Sequence, residues 1–393
     1  LEFRRVLFRS SGTGGSGAAG GGNGSSSSNT TGGSATANSG SGGGGAGNGP
    51  SGGSGGSGIV VVRYVGGAAS SGGTVTTGTG TAAGYTVQTF TTSGANTLTF
   101  NSMAATLSGA ISGAGSLVSN PSSNGKFIFT GNNSYGGTTV SSGVLQVGTG
   151  GAAGSLGLTT ANVINNGSLI FNRADTLTYT GAFSGTGSLT VATGGLNLNG
   201  GATYSGATAL SADANSPSSI AFNNNVPPST TGFSGSGAVT IAPASGSSFT
   251  SAFTPNYTFA STLTGLTLGS SSNTANITLN SAQSIAGPIT VYGGDIKLNA
   301  NLSSTRTIGV GISLYANGNI NNDTTGFTIQ TSGSNILFAS SLGSTGGSIG
   351  LDRISLISNG GNITLGGGAS GTDYAVGTNT ASISSWANQS KYK

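Results

Sequence analysis

Seven side chains carry the carboxylates that acid–base or metal chemistry would draw on: Glu2, Asp175, Asp213, Asp295, Asp323, Asp352 and Asp373. No histidine and no cysteine accompanies them. Thiol catalysis, zinc coordination and histidine general-base chemistry therefore have no residues to work with. A glycosidase needs two carboxylates facing one glycosidic bond, and no two of these aspartates are close in sequence. Some β-helix enzymes that cleave pectin gather acids from neighbouring coils, so scatter alone does not exclude a site. We read the aspartates as isolated and solvated, some beside Arg173 or Arg353. Gly293-Gly294-Asp295 is a fragment of the calcium-binding repeat GGxGxDxUx, and without the remainder it is read as a bend before a strand. The sequence nominates no catalytic residue, no cofactor-binding residue and no metal ligand.

Binding surfaces are equally diffuse. The formal charge of +4 comes half from Arg4, Arg5 and Arg9 set against Glu2, and the next charges are Arg63 and Lys126. Nucleic-acid binding needs clustered cations to displace counterions from phosphates, and no such cluster exists. Phe127, Phe129, Tyr135, Phe171, Tyr179 and Phe183 could line a sugar platform. They recur at strand positions that also accept Leu and Ile, so they are read as core. Asn165-Asn166 and Asn223-Asn224-Asn225 are read as turn residues that ladder along a repeat.

The elements that would position these residues are spelled most plainly between Gly125 and Gly151. Phe127 and Phe129 alternate with Lys126, Ile128 and Thr130, and Leu145 and Val147 alternate with Val144 and Gln146, the period of half-buried strands. Tyr135 and Val140 mark a strand between them. Gly131-Asn132-Asn133, Gly136-Gly137 and Ser142-Gly143 supply the bends. Strand, bend, strand, bend, strand makes one coil of a solenoid.

This stretch resembles the autotransporter-associated β-strand repeat of exported bacterial surface proteins. The resemblance rests on Asn132-Asn133-Ser134-Tyr135-Gly136-Gly137-Thr138-Thr139-Val140, Gly143-Val144-Leu145-Gln146-Val147-Gly148 and Gly154-Ser155-Leu156-Gly157, and it begins at Ile111–Leu117. It covers about an eighth of the chain well. It implies a right-handed β-helix displayed at a cell surface.

The cassette Ile111-Ser112-Gly113-Ala114-Gly115-Ser116-Leu117 recurs as Phe183–Leu189 and Phe233–Val239, about 72 and 50 residues apart. Coils of roughly 20 to 25 residues would accommodate those spacings. A decayed copy of the opening motif lies at Gly201–Gly206, where Tyr204 corresponds to Tyr135. Beyond Ile277 the pattern becomes apolar-polar-apolar triplets such as Ile289-Thr290-Val291 and Ile312-Ser313-Leu314. Gly293–Leu298 and Gly360–Leu365 resemble the β-helix of filamentous-haemagglutinin-type adhesins, more loosely. Pro217, Pro227-Pro228, Pro243 and Pro255 cannot donate to a ladder, so a loop near Asn215–Ser229 or a break in the solenoid is expected there.

The resulting expectation is an all-β chain, a right-handed parallel β-helix preceded by a disordered Gly/Ser-rich segment. Residues 1–10 resemble a translated sequencing adaptor and are set aside as artefact. Residues 11–58 contain only Gly, Ser, Ala, Thr, Asn and Pro, and read as a flexible linker because nothing offsets the entropy of ordering them. Gly55–Tyr64 resembles the close of glycine-rich modules in phage-tail and surface proteins, with a strand at Ile59–Val62. Residues 59–97 form a small β unit or N-terminal cap, 98–250 the autotransporter-repeat helix, 251–385 its haemagglutinin-like continuation, and 386–393 a truncated tail. Thirteen or so coils at about 4.8 Å would make a rod near 60 Å long.

A chain with 77 glycines and 5% charged residues is unlike an ordinary globular domain but suits a solenoid. The absence of cysteine fits a chain threaded unfolded through an outer membrane. No apolar run is long enough for a membrane helix. The function expected is therefore that of a non-catalytic passenger fragment, an adhesin or extended stalk on a bacterial cell surface. It would use no cofactor and have a surface or matrix ligand of unknown identity, with an outer-membrane barrel or secretion partner outside this fragment. The alternatives are a glycine-rich structural or phage-tail-type protein, and a polysaccharide-acting β-helix enzyme.

Overall fold

The structure, a computed structural model, describes residues 15–17, 19–26, 30–47, 51–58, 60–65, 70–71, 74–77, 85–91, 99–100, 104–121, 125–211, 217–342, 346–367 and 382–384. Residues 1–10 and the tail 386–393 lie outside them. Among the described residues there is no helix, and every regular element is a strand. From residue 104 onward the strands pair in parallel and in register, building a β-solenoid of about 11 turns, somewhat fewer than the thirteen expected.

Each full coil passes three faces in turn. The first face stacks Lys126–Phe129, Val144–Val147 and the leading halves of Ser168–Tyr179 and Ser188–Leu198, then Thr208–Leu210 and Gly232–Gly235. The second stacks the trailing halves of those two long strands, then Ser218–Asn223, Ala238–Ala242, Gly265–Leu268, Ile289–Gly293, Val310–Ala316, Asn335–Ser340 and Ile363–Gly367. The third carries Leu117–Ser119, Thr138–Val140, Val163–Asn165 and Phe183–Ser184, and further along Ile277–Leu279, Ile296–Leu298 and Ile320–Asn321. Ser168–Tyr179 and Ser188–Leu198 each run round a corner, so two faces merge into one 15-stranded sheet. The corner shows as register shifts between Phe171 and Thr176.

Period-two alternation explains the core. In-register parallel stacking puts identical strand positions above one another, so one inward apolar residue per rung becomes a continuous column. On the second face Leu196, Ile220, Val239, Leu266, Ile289, Ile312 and Ile336 form such a column, and Leu198, Phe222, Ile241, Leu268, Val291, Leu314 and Phe338 another. All are buried, at about 1.5–3 kcal/mol for each large side chain. The six aromatics expected in the core are all buried there, with Phe171, Tyr179 and Phe183 packed ring to ring.

The columns pass from residue 241 to 268 and on to 291 without interruption. The two sequence patterns on either side of residue 250 thus share one rod. The prolines do not break it. Pro217 immediately precedes Ser218–Asn223, where its missing N–H costs nothing and its carbonyl accepts from Gly194 N at 3.1 Å. Pro243 follows Ala238–Ala242, and Pro227-Pro228 and Pro255 fall in connections between strands.

The cassette recurring at Ile111, Phe183 and Phe233 turns a different corner at each occurrence. Ile111–Leu117 leads from the second-face position to the third face, Phe183–Leu189 from the third to the first, and Phe233–Val239 from the first to the second. Its first glycine has positive φ in all three copies, 129° at Gly113, 107° at Gly185 and 88° at Gly235, which demands glycine there. Spacings of about 72 and 50 residues are then about three and a third and two and a third coils of roughly 21–22 residues.

Ahead of the solenoid, Val60–Val65, Tyr85–Phe90 and Thr74–Thr77 make a three-stranded antiparallel sheet with Tyr85–Phe90 in the middle. Val60–Val65 lies beside Ala104–Leu107, the solenoid's first strand. The described parts of 15–58 contain no helix or strand, in keeping with their composition, but their backbones are joined by hydrogen bonds.

Candidate functional site: the outer surface of the solenoid

The described aspartates are engaged one at a time. Asp175 makes a two-point pair with Arg173, 2.7 Å to each carboxylate oxygen. Arg173 is itself buried at 6% exposure, and its guanidinium also donates to the carbonyls of Gly154 and Ala152. The pair sits at the corner of Ser168–Tyr179 and ties the loop 148–154 to it. The hydrogen bond from Arg173 holds the Asp175 carboxyl below its ordinary value. Asp323 pairs with Lys297 at 2.8 Å, and Asp352 with Arg353 at 3.3 Å. Asp213, Asp373 and Glu2 lie outside the described residues.

Asp295 belongs to a turn ladder. Its N–H donates to Asn276 Oδ1, its own Oδ1 accepts from Asn319 N at 2.7 Å, and Asn319 Oδ1 accepts from Ser348 N. One carboxylate therefore does what asparagines do in the neighbouring coils, accepting the next coil's backbone N–H where the strand has ended. Asn166 serves Thr186 N in the same way, and Asn225 serves Ala244 N. Asn223 donates to Asn199 Oδ1 across one coil at 3.0 Å.

Inside the rod, tyrosine hydroxyls are matched to specific partners. Thr138 donates to the Tyr135 hydroxyl, and Tyr204 bonds Thr208 at 2.7 Å. The decayed motif at Gly201–Gly206 thus keeps the Tyr–Thr pair of the full-strength copy. Leu156 N donates to the Tyr179 hydroxyl. Burial pushes the Tyr179 hydroxyl up to about 12 and those of Tyr135 and Tyr204 further, because a phenolate cannot be solvated there. These groups stay neutral and hold the core.

The side chains pointing away from the core on the second face form a neutral row in register, Ala221, Thr240, Thr267, Thr290, Ser313, Leu337 and Thr364, with Ser313 itself buried. Beside it Tyr292 and Tyr315 stack with centroids 4.9 Å apart and planes 13° from parallel. Both are half-buried. No protein-family model, no curated protein and no solved structure matches this chain. The geometry of the faces is therefore what bears on function.

The tyrosine pair was missed from sequence, and the Arg173–Asp175 neighbourhood was expected as solvated, whereas Arg173 is buried and also bonds the loop carbonyls of Gly154 and Ala152. The signal for the tyrosine pair is that Ile289-Thr290-Val291-Tyr292-Gly293 and Ile312-Ser313-Leu314-Tyr315-Ala316 place Tyr at the same offset in aligned triplets. The signal for the burial of Arg173 is its place two residues before Asp175 within a strand whose alternate residues Leu169 and Phe171 point into the core.

Proposed function

We propose that the chain is a non-catalytic passenger of an exported bacterial surface protein, a rod that works as adhesin or stalk. The observation that carries this reading is the unbroken stack of in-register coils with a sparsely charged, Thr/Ser/Asn-rich exterior. A solenoid of about 11 turns at about 4.8 Å per rung extends roughly 50 Å, enough to hold a distal face away from its anchor. Binding to a surface or matrix ligand would then be spread over rungs, with hydroxyl and amide groups at fixed spacing and no single dominant residue. The resemblance of Gly125–Gly151 to autotransporter repeats supports export to a cell surface.

The sequence of the gene on both sides tests this. A downstream outer-membrane barrel or a partner-secretion signal is expected. Neighbouring phage-tail genes would overturn it in favour of the glycine-rich structural or tail-type protein, a reading favoured only by Ser11–Tyr64. For the enzyme alternative, separate alanine replacements of the six aspartates should leave no polysaccharide-cleaving activity to lose.

A further inference from the structure

We propose that the described parts of residues 15–58 form a folded, glycine-cored bundle that acts as a rigid head on the rod, in place of the flexible tether their composition implies. This is independent of where the protein is displayed. The described residues fall into four pieces at 19–26, 30–36, 40–47 and 51–58, the first opening on a turn with positive φ at Ala19 and Gly20 and the third opening on Gly40, also at positive φ.

Donors and acceptors recur every third residue. Gly22 and Ser25 donate to Gly42 and Gly45, Gly32 and Ala35 to Ser51 and Ser54, Gly33 and Thr36 to Asn23 and Gly20, and Gly53 and Gly56 to Gly44 and Ser41, at 2.7–3.2 Å. A β-strand repeats every second residue and an α-helix every 3.6. A repeat of three belongs to the extended polyproline-type helix, which has no internal hydrogen bonds and so turns all its backbone groups outward.

The neighbour pattern agrees. Piece 30–36 bonds 19–26 and 51–58, and accepts at Gly33 from Gly44. Piece 40–47 bonds all three others. A strand in a sheet has at most two hydrogen-bonded neighbours, whereas three around one chain is packing in two dimensions. Adjacent donors Gly32 and Gly33 serve different pieces, as a three-fold screw requires.

Side chains give an independent reading of the same contacts. A Cβ on Gly22 would overlap the carbonyl oxygen of Gly33, on Gly32 that of Gly44, on Gly44 that of Asn23, and on Gly53 that of Gly33. The glycine hydrogen along that bond therefore points at a carbonyl, the arrangement of a Cα–H···O bond. These contacts link the same pairs of pieces as the N–H bonds do. At Gly42 and Gly45, on the outer side of their piece, an added Cβ meets nothing. The segment Ser51-Gly52-Gly53-Ser54-Gly55-Gly56-Ser57 writes the three-residue period into sequence, and it runs through Ile59 into Val60–Val65, which lies beside the first strand of the solenoid.

Amide hydrogen exchange on the intact chain tests the proposal with two variants. In the wild type, peptides from 15–58 should exchange at least about ten-fold more slowly than a free chain of the same composition. Gly44→Ala should abolish that protection across 15–58 while leaving residues 125–342 unchanged, and Gly45→Ala should keep it. Free-chain exchange of 15–58 in the wild type, or equal behaviour of the two variants, would overturn the proposal.

Discussion

Arg173 is the only charged side chain buried among the described residues, and its partners explain how that is tolerated. Two carbonyls and a carboxylate take its N–H groups. Arg173→Ala strips the loop 148–154 of these bonds and should cost about 2 kcal/mol in denaturant unfolding. Asp175 is 45% exposed, so water screens its share, and Asp175→Asn should cost only about 0.5 kcal/mol. Because the folded carboxyl is held below its unfolded value, this contribution is present above the ordinary carboxylate range and lost as pH falls through the folded value. The stability gap between wild type and Asp175→Asn should therefore close in acid. The buried tyrosines act oppositely. Their folded values are raised, with Tyr179 at about 12, so their contribution is intact below about pH 10 and lost as pH climbs past it. Alkaline titration should show phenolate absorbance appearing together with loss of β-structure. Phenolate formation on a still-folded rod would contradict it.

At the scale of the element, each strand is an alternating run ended by a bend, and that much was legible in residues such as Ile289-Thr290-Val291. The inward and outward positions carry different weights. Ile312→Ala opens a void in a continuous column and should cost about 2–5 kcal/mol, while Thr290→Ala on the outer row should stay within about 0.5 kcal/mol. Thermal unfolding of the two variants compares them directly. Which face a strand occupies was not legible. Gly293–Leu298 and Gly360–Leu365 look alike, yet Ile296–Leu298 stands on the third face and Ile363–Gly367 on the second. Likewise the glycine cassette serves all three corners. These motifs encode a bend followed by a strand, and the face is decided by how many residues have gone before. In Ser168–Tyr179 the corner near Arg173 lacked a sequence marker because that strand turns through register shifts with neither proline nor a glycine pair, whereas the next coil marks the same corner with Gly194-Gly195. The three-residue period of Ser51–Ser57 was visible, but fits neither the helical nor the strand template, so composition alone was read.

As a whole the solenoid is one continuous rod whose coils are stacked in register across the change of sequence pattern. The lack of native cysteine makes this directly measurable with spin labels on cysteines introduced at Thr240 and Thr364, both on the outer row. Five rungs separate them, through Thr267, Thr290, Ser313 and Leu337, although 123 residues of chain lie between. Pulsed electron–electron double resonance should give one narrow distribution centred within a label's length of about 24 Å, five spacings of about 4.8 Å. A broad distribution reaching beyond about 40 Å, as an unfolded or jointed chain would give, would contradict the continuous solenoid.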